Sequence, residues 1–250
     1  MNERFSTGNF EEIDRAIVVR KAIAASKSEL ANIPEPLPED FIGLTDINGK
    51  TLYTERSVAA DNAEVARLER EFRADEERDL KRKETSEYAT AFETLLMIQT
   101  ELCEWLGPEA MTVRTSKFDD IKNGVDFMIR FPDGPDIAVD VTASFDQLPK
   151  KFNRVKREID QGRLADLKYF YDEMTDERGP LKDIPRVVVA ADGRTIGGLS
   201  ELWLVKDKKR SKTTVSRCRS WKRSRSNCAP SRNIPRSPRD QRSPPNIPRP

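Results

Sequence analysis

The chain contains no histidine and only three cysteines among its 250 residues. Without an imidazole it cannot use a Ser-His-Asp or Cys-His mechanism or a His-ligated zinc site. Cys103, Cys218 and Cys228 are too few and too far apart for a disulfide framework or a four-cysteine metal centre. Acid-base or metal chemistry must therefore depend on Asp, Glu, Lys and backbone oxygens.

Long apolar runs are also missing from the sequence. No stretch approaches the ~20 apolar residues that a membrane-spanning helix requires, and the first residues, MNERFSTGNF, lack the apolar region of a signal peptide. There is no P-loop or GxGxxG motif, and GRTIGG at residues 193–198 is predicted to be a turn, so no nucleotide cofactor is indicated. We expect a soluble, cytoplasmic protein with no membrane partner.

Charge is balanced overall but unevenly distributed. The 44 basic and 43 acidic residues give +1, yet residues 206–250 hold 15 basic and 2 acidic residues and carry +13. The remaining 29 basic and 41 acidic residues give −12 to residues 1–205. Because residues 206–250 are rich in Arg, Ser and Pro and lack Leu, Phe and Tyr, we predict a disordered basic tail. It is either a genuine segment that binds RNA or the product of a frameshift.

Two segments precede the predicted core. Residues 1–55 are predicted to be an N-terminal appendage with one helix, 9–30, and a Pro-rich spacer. Residues 56–86 are dense in charge around a thin apolar stripe, which predicts a solvated helix. The alternative for this helix is a coiled-coil arm through which the protein forms a homo-oligomer.

Residues 87–205 are predicted to form an α/β core with a mixed four-stranded sheet and flanking helices in αβββαβ order. A strand reached through a helix pairs most simply as a parallel crossover, whereas the turn PDGPD joins two antiparallel strands. The predicted elements are a helix at 87–106, strands at 111–117, 125–131 and 137–142, a helix at 147–174, and a strand in RVVVAA after Pro185.

Two aspartates lie on the strands of the predicted hairpin. If the turn closes symmetrically, Phe131 pairs with Ile137, and Asp126 and Asp140 become diagonal neighbours on one face of the sheet. Two adjacent carboxylates are costly unless a cation neutralises them, and oxygen ligands select Mg²⁺ or Mn²⁺. The Val141 carbonyl would be a further ligand.

A structural explanation competes with this metal site. Asp126 would then end the turn that follows Asn123-Gly124, and Asp140 would be an edge residue in water, paired with Arg130.

The residues Asn123-Gly124-Val125-Asp126 and Asp140-Val141-Thr142, in this order of elements, resemble the PD-(D/E)XK nuclease-like superfamily. The stretch from about 87 to 205 is also similar to a group of uncharacterised bacterial proteins that contain SKFDDIKNGVD and IAVDVT. The resemblance implies a restriction-endonuclease-like core in which two acids hold Mg²⁺ or Mn²⁺, which activates water for phosphodiester hydrolysis.

The resemblance also implies roles for neighbouring residues. Thr142 occupies the position of the superfamily's lysine; its hydroxyl can orient a water but supplies no positive charge. The superfamily tolerates a lysine moved to the next helix, which makes Lys150 and Lys151 candidates, with a solvated helix face as the alternative. Related enzymes often add a Glu from the first helix to the metal shell, here Glu93. Asp119 and Asp120 precede the turn and are expected to be a solvated loop pair, with a role as metal ligands as the alternative.

Three functional hypotheses follow. The leading one is a metal-dependent nuclease that acts on DNA or RNA, with Arg154, Arg157 and Arg163 binding the phosphate backbone. The second is a catalytically inactive scaffold or interaction module of the same fold. The third is an RNA-binding protein that acts through its basic tail.

Overall fold

The computed structural model describes residues 7–210 apart from 104, 108, 133 and 174, and describes only the backbone at 7–13, 28, 102, 103 and 206–210. The predicted tail beyond residue 210 lies outside the described residues. The five helices of the described part are α1 (Thr7–Leu30), α2 (Glu55–Arg78), α3 (Leu80–Cys103), α4 (Leu148–Asp160) and α5 (Gly193–Arg210). Its six strands are β1 (Met111–Arg114), β2 (Phe127–Arg130), β3 (Ile137–Thr142), β4 (Ala165–Asp172), β5 (Glu177–Ile184) and β6 (Arg186–Ala190).

The main sheet has four strands in the order β1-β2-β3-β6. β1 pairs with β2 and β2 with β3 in antiparallel fashion, whereas β3 and β6 are parallel. The prediction of a mixed four-stranded sheet with flanking helices is therefore confirmed, and β3 has the predicted bounds. No helix in the described part of the chain is long and apolar enough to cross a membrane.

The predicted long helix at 147–174 is wrong. α4 ends at Asp160, because Gly162 adopts a left-handed φ of 65° and its N–H bonds to the Ile159 carbonyl. The chain then forms β4, whose buried residues pack on the main sheet, and β5, which pairs with β4 in a separate antiparallel sheet. The β4–β5 hairpin is an addition to the predicted αβββαβ order, and it lies in the chain between the second helix of that order, α4, and its last strand, β6.

The predicted hairpin register is also wrong, by two residues. Ile137 lies opposite Ile129 rather than Phe131, and Val139 lies opposite Phe127. The turn is therefore longer than PDGPD alone, because β2 already ends at Arg130. The shift brings the chain just before β2 alongside the middle of β3.

Two apolar layers cover the two faces of the main sheet. On one face, Phe127 and Val139 pack with Phe92 of α3, Val19 of α1 and Ile196 of α5. On the other face, side chains of β1, β2 and β3 pack with β4 and β5; this layer contains Val113, Met128, Ala138, Leu167, Phe170 and Ile184. α1 belongs to the packed body, so the description of residues 1–55 as an appendage is wrong for this helix.

The charged segment differs in detail from its prediction. It forms α2, which begins with a capping box between Thr54 and Ser57, and it stops at Asp79. Asp79 adopts an extended conformation, and its carboxylate accepts the N–H of Lys81 at 3.0 Å, which starts α3 at Leu80 rather than at residue 87.

The GRTIGG segment is the first part of α5 and not a turn. Asp192 accepts the N–H of Thr195 at 2.7 Å and so caps the helix, which continues to Arg210. The predicted disorder therefore does not describe the backbone at 206–210. α5 follows the last strand of the sheet and packs on α1 and α3.

α4 has an unusual environment for an amphipathic helix. None of its residues is buried, and the side chains of Phe152 and Ile159 are 55% and 60% exposed. Of the four apolar residues that periodicity places on one face of this helix, Phe152 and Ile159 are thus exposed, and Leu148 and Val155 are half-buried.

Candidate active site

The chain before β2 holds Asp126 against β3. The Asp126 N–H donates to the Val139 carbonyl at 2.9 Å, and the Asp126 carboxylate accepts the Val141 N–H at 2.5 Å. Val125 packs with the layer of β4 and β5 although Phe127 packs on the α3 side, so the strand alternation is interrupted at Asp126. This irregularity places the Asp126 carboxylate against the backbone of Val141, at the point where β2 begins.

Asp140 lies in the middle of β3 and is only 2% exposed. The Lys151 ammonium of α4 donates to its Oδ1 and, at 2.8 Å, to the carbonyl oxygen of Val141. Arg186, at the start of β6, places its Nη1 3.7 Å from Asp140 Oδ2. The proposed alternative, an edge aspartate in water, is therefore wrong for Asp140.

Arg130 does not serve as the partner of Asp140. Its guanidinium instead binds Asp136, Asp172 and Glu177, at 3.3, 2.5 and 3.2 Å. The structure assigns the neutralising role to Lys151 and Arg186.

Glu93 of α3 and Asp120 complete an acidic group around Asp126. Burial raises the pKa of Asp126 to about 8, and the negative charge of Asp120 adds to this effect; the hydrogen bond from Val141 opposes it. Burial also raises the pKa of Glu93 well above its ordinary value, with further contributions from Asp126 and then Asp120. The structure thus brings Glu93 close enough to Asp126 for their charges to interact.

The acidic pair 119–120 was predicted to be solvated, which is wrong for Asp119. This side chain is fully buried, and it accepts the backbone N–H groups of Lys168 and Tyr169 at 2.7 and 2.9 Å. It also accepts hydrogen bonds from Ser116 and Asn123. Asp119 therefore anchors the π-helical turn Asp119–Asn123 to the backbone of β4. Its neighbour Asp120 belongs to the acidic group around Asp126.

The other candidates near the second acid have different environments. Thr142 is buried, and its hydroxyl bonds the backbone of Ser144, accepting the N–H at 3.2 Å and donating to the carbonyl at 3.3 Å. Lys150 is exposed and makes no ion pair within the described residues. The structure therefore brings Lys151, but not Lys150, to the acids.

The predicted phosphate-binding residues are only partly arranged as a stripe. Arg154 donates to the Lys122 carbonyl at 2.8 Å and lies 3.8 Å from Glu158, so it supports the turn before β2. Arg157 is exposed on α4, and Arg163 lies beyond the end of the helix, where it bonds Gln161. Arg157 is the member of the three that is best placed to meet an anion.

Arg186 was not predicted to belong to the site. Its side chain is 3% exposed and donates to the carbonyls of Gly124 and Asn123, at 2.6 and 2.9 Å, and to Glu158 at 3.2 Å. A sequence signal for it existed: a parallel crossover pairs β6 with β3, which puts Arg186 and Asp140 on one face.

The oxygen donors of this site suit a hard divalent cation. Among the described residues, no three His, Cys, Asp or Glu side chains form a group that could hold a metal ion. Mg²⁺, however, is often bound through one or two carboxylates, with waters and substrate phosphates as the other ligands. The Lys151 ammonium, which is itself a cation, contacts the Asp140 carboxylate and the Val141 carbonyl. Both of these groups were predicted to be metal ligands.

Comparisons of the chain with protein-family models, with curated proteins and with solved structures found no match.

Proposed function

We propose that the protein is a metal-dependent phosphodiesterase of the PD-(D/E)XK nuclease-like type, which hydrolyses DNA or RNA with Mg²⁺ or Mn²⁺. The observation that carries the proposal is the meeting of Asp126, Asp140 and the backbone of Val141 at one place, where the chain before β2 lies beside the middle of β3. Val141 donates its N–H to Asp126 and offers its carbonyl beside Asp140, so these donors have a fixed relative position.

The electrostatics of the acidic group support a cation in this place. Asp126 has a pKa raised to about 8, and that of Glu93 is also raised, because both are buried near other carboxylates. A divalent cation would stabilise the ionised forms of these side chains. Asp126 and Asp140 would hold the metal with the Val141 carbonyl, and Glu93 would bind through the outer shell.

The bound metal would lower the pKa of a water and polarise a phosphodiester oxygen. The protein's own side chains would then orient the substrate and provide charge. Lys151 would bind a non-bridging phosphate oxygen and so supply the positive charge that Thr142 cannot provide. Lys150 and Arg157, both exposed on α4, would contact neighbouring phosphates of the chain.

The test is a cleavage assay on single- and double-stranded DNA and RNA with Mg²⁺, Mn²⁺ or EDTA. Asp126→Asn and Asp140→Asn should each lower the cleavage rate at least about 100-fold, because loss of a charged metal ligand should cost no less than the ~10–100-fold lost with an outer-shell partner. Asp146→Asn is the matched control, because Asp146 is an exposed aspartate six residues after Asp140. Absence of metal-dependent cleavage on every substrate, or equal activity of the three variants, would refute the proposal.

One observation favours the second hypothesis, a scaffold without catalysis. Lys151 and Arg186 already neutralise Asp140, so the fold is electrostatically satisfied at this position without a metal. A scaffold would show no change in melting temperature with Mn²⁺, whereas a metal-binding enzyme gains stability from the bound ion. The third hypothesis, RNA binding through the tail, concerns residues outside the described part of the chain.

A further inference from the structure

We propose that the Asp140 carboxylate and the Val141 carbonyl form one cation site, which the Lys151 ammonium and a divalent metal occupy alternately. Metal binding then requires the displacement of Lys151, and the displaced ammonium becomes available to a phosphate group. This inference rests on the proposed function, since it describes how the proposed metal site is filled.

The competition follows from the contacts of Lys151. Its Nζ donates both to Asp140 Oδ1 and to the Val141 carbonyl oxygen. A carboxylate and a backbone carbonyl are hard oxygen donors of the kind that Mg²⁺ and Mn²⁺ bind. A divalent metal bound by these two oxygens would repel the ammonium from the same place, so the two cations compete for them.

The surroundings allow the ammonium to leave. The Lys151 side chain is 25% exposed and belongs to α4, which has no buried residue. A lysine ammonium on its flexible four-carbon stem can move without movement of the backbone. Lys151 therefore has both a route to solvent and the freedom to take it.

Asp140 would not lose all of its positive neighbours when Lys151 leaves. Arg186 stays 3.7 Å away, because its guanidinium is held by the carbonyls of Asn123 and Gly124 and by Glu158. The two cations near Asp140 thus differ in kind: Arg186 is fixed by several hydrogen bonds, and Lys151 is exchangeable.

The exchange links metal binding to substrate binding. In the metal-free protein, Lys151 is engaged with Asp140 and is not free to bind an anion. Once a metal takes its place, the ammonium lies close to the metal and can bind a phosphate oxygen, the role for which position 142 offers only a hydroxyl. The charge of Lys151 is therefore available to the substrate only when the metal is present.

The experiment compares Mn²⁺ affinity by calorimetric titration of the full chain as wild type, Lys151→Gln and Lys150→Gln. Removal of the competing ammonium should tighten Mn²⁺ binding by Lys151→Gln about 10-fold or more, although cleavage by this variant should fall. Lys150→Gln is the matched control, because Lys150 is the exposed neighbour of Lys151 and makes no ion pair among the described residues. The Mn²⁺ affinity of this variant should equal that of the wild type.

A second measurement needs no variant. A reagent that acylates amines, followed by peptide mass spectrometry of the native protein, should modify Lys151 several-fold faster in the presence of Mn²⁺ and leave the rate at Lys150 unchanged. This measurement decides the case if Lys151→Gln does not fold.

The outcomes separate the two proposals. Equal Mn²⁺ affinity of wild type and Lys151→Gln, or Lys151 acylation that Mn²⁺ does not accelerate, would overturn the exchange while leaving the metal-dependent function standing. Binding of Mn²⁺ by Lys151→Gln but not by the wild type would show that Lys151 blocks the site and is not displaced, which would overturn both the exchange and the function. Absence of binding by every variant would refute both.

Discussion

The carboxylate of Asp126 accepts the backbone N–H of Val141 at 2.5 Å, although the two residues are 15 positions apart in the chain. The carbonyl of the same Val141 accepts the Lys151 ammonium. A single residue of β3 thus connects the acid before β2 with the lysine of α4. Because both contacts use the main chain of Val141, substitution of its side chain should leave them in place, whereas a change at either partner should not.

The raised pKa of Asp126 predicts that metal-free protein loses stability as the pH rises. The ordinary pKa of 3.8 applies to the unfolded chain, and burial raises it to about 8 in the folded protein. Between about pH 4 and 8 the unfolded state loses this proton first, so the free energy of unfolding falls with pH. The slope from one such proton reaches about 1.4 kcal/mol per pH unit near the middle of this window.

Denaturant unfolding in EDTA at several pH values tests this prediction. Asp126→Asn should flatten the decline, because the amide does not titrate. The control is Asp146→Asn, which should keep the wild-type slope. A wild-type slope that is flat from pH 5 to 7 would contradict the burial argument.

Asp140→Asn should destabilise the metal-free protein. From the sequence alone, relief of repulsion between two acids would stabilise this variant. The structure predicts the opposite change in stability, because Asp140 is buried beside Lys151 and Arg186. Loss of its charge leaves these two cations without the anion that they share. We expect a loss of about 2–3 kcal/mol, since hydrogen bonds to charged groups have this size. An equal or higher melting temperature in EDTA would show that these pairs do not stabilise the fold.

Asp119→Ala should cost more stability than Asp120→Ala, although the residues are adjacent. The first change leaves the N–H groups of Lys168 and Tyr169 without their carboxylate acceptor, at a cost of about 3 kcal/mol. The second removes a charge that repels Asp126 and Glu93, so it should lower the pKa values of both. Thermal melts of the two variants at pH 7 give the comparison. Similar losses from both variants would argue against an anchoring role for Asp119.

Gly124→Ala should destabilise the turn before β2 more than Gly49→Ala destabilises the turn that the Asp46 and Lys50 backbones close between α1 and α2. Both glycines have positive φ, 61° and 77°, and an alanine with such a φ costs about 1 kcal/mol of stability. A Cβ at Gly124 would in addition overlap the Arg154 guanidinium, whereas nothing lies within 4 Å of one at Gly49. Arg154 would then lose its bond to the Lys122 carbonyl, for about 1 kcal/mol more. Chemical denaturation measures the difference, and equal effects would show that Arg154 relaxes without cost.

Much of the sheet could be predicted from local patterns. The alternation in IAVDVT gave β3 its bounds, and the crossover rule gave its parallel pairing with β6. The helix predicted over 147–174 failed because its periodicity was extended past Gly162, where a left-handed residue ends α4 and a period of two begins.

The site was harder to predict than the sheet. Asp126 and Asp140 could be found because aspartate is rare in strands, and Lys151 because a basic pair early in a helix is unusual. The roles of Asp119 and Arg186 depend on contacts with β4 and with the turn before β2, which lie 49 to 63 residues away. Such contacts leave no local periodicity in the sequence, so only the tertiary structure reveals them.

The exposed apolar face of α4 has a consequence for the timescales of the site. Hydrogen-exchange protection depends on buried contacts, and this helix contributes no buried residue, whereas five of the six residues of β3 are buried. Amides of α4 should therefore exchange with deuterium orders of magnitude faster than those of β3. Asp140 would then lie in a slowly exchanging strand and Lys151 on a helix that opens locally more often, so local opening of α4 would be a second route, beside motion of the side chain, by which Lys151 leaves Asp140.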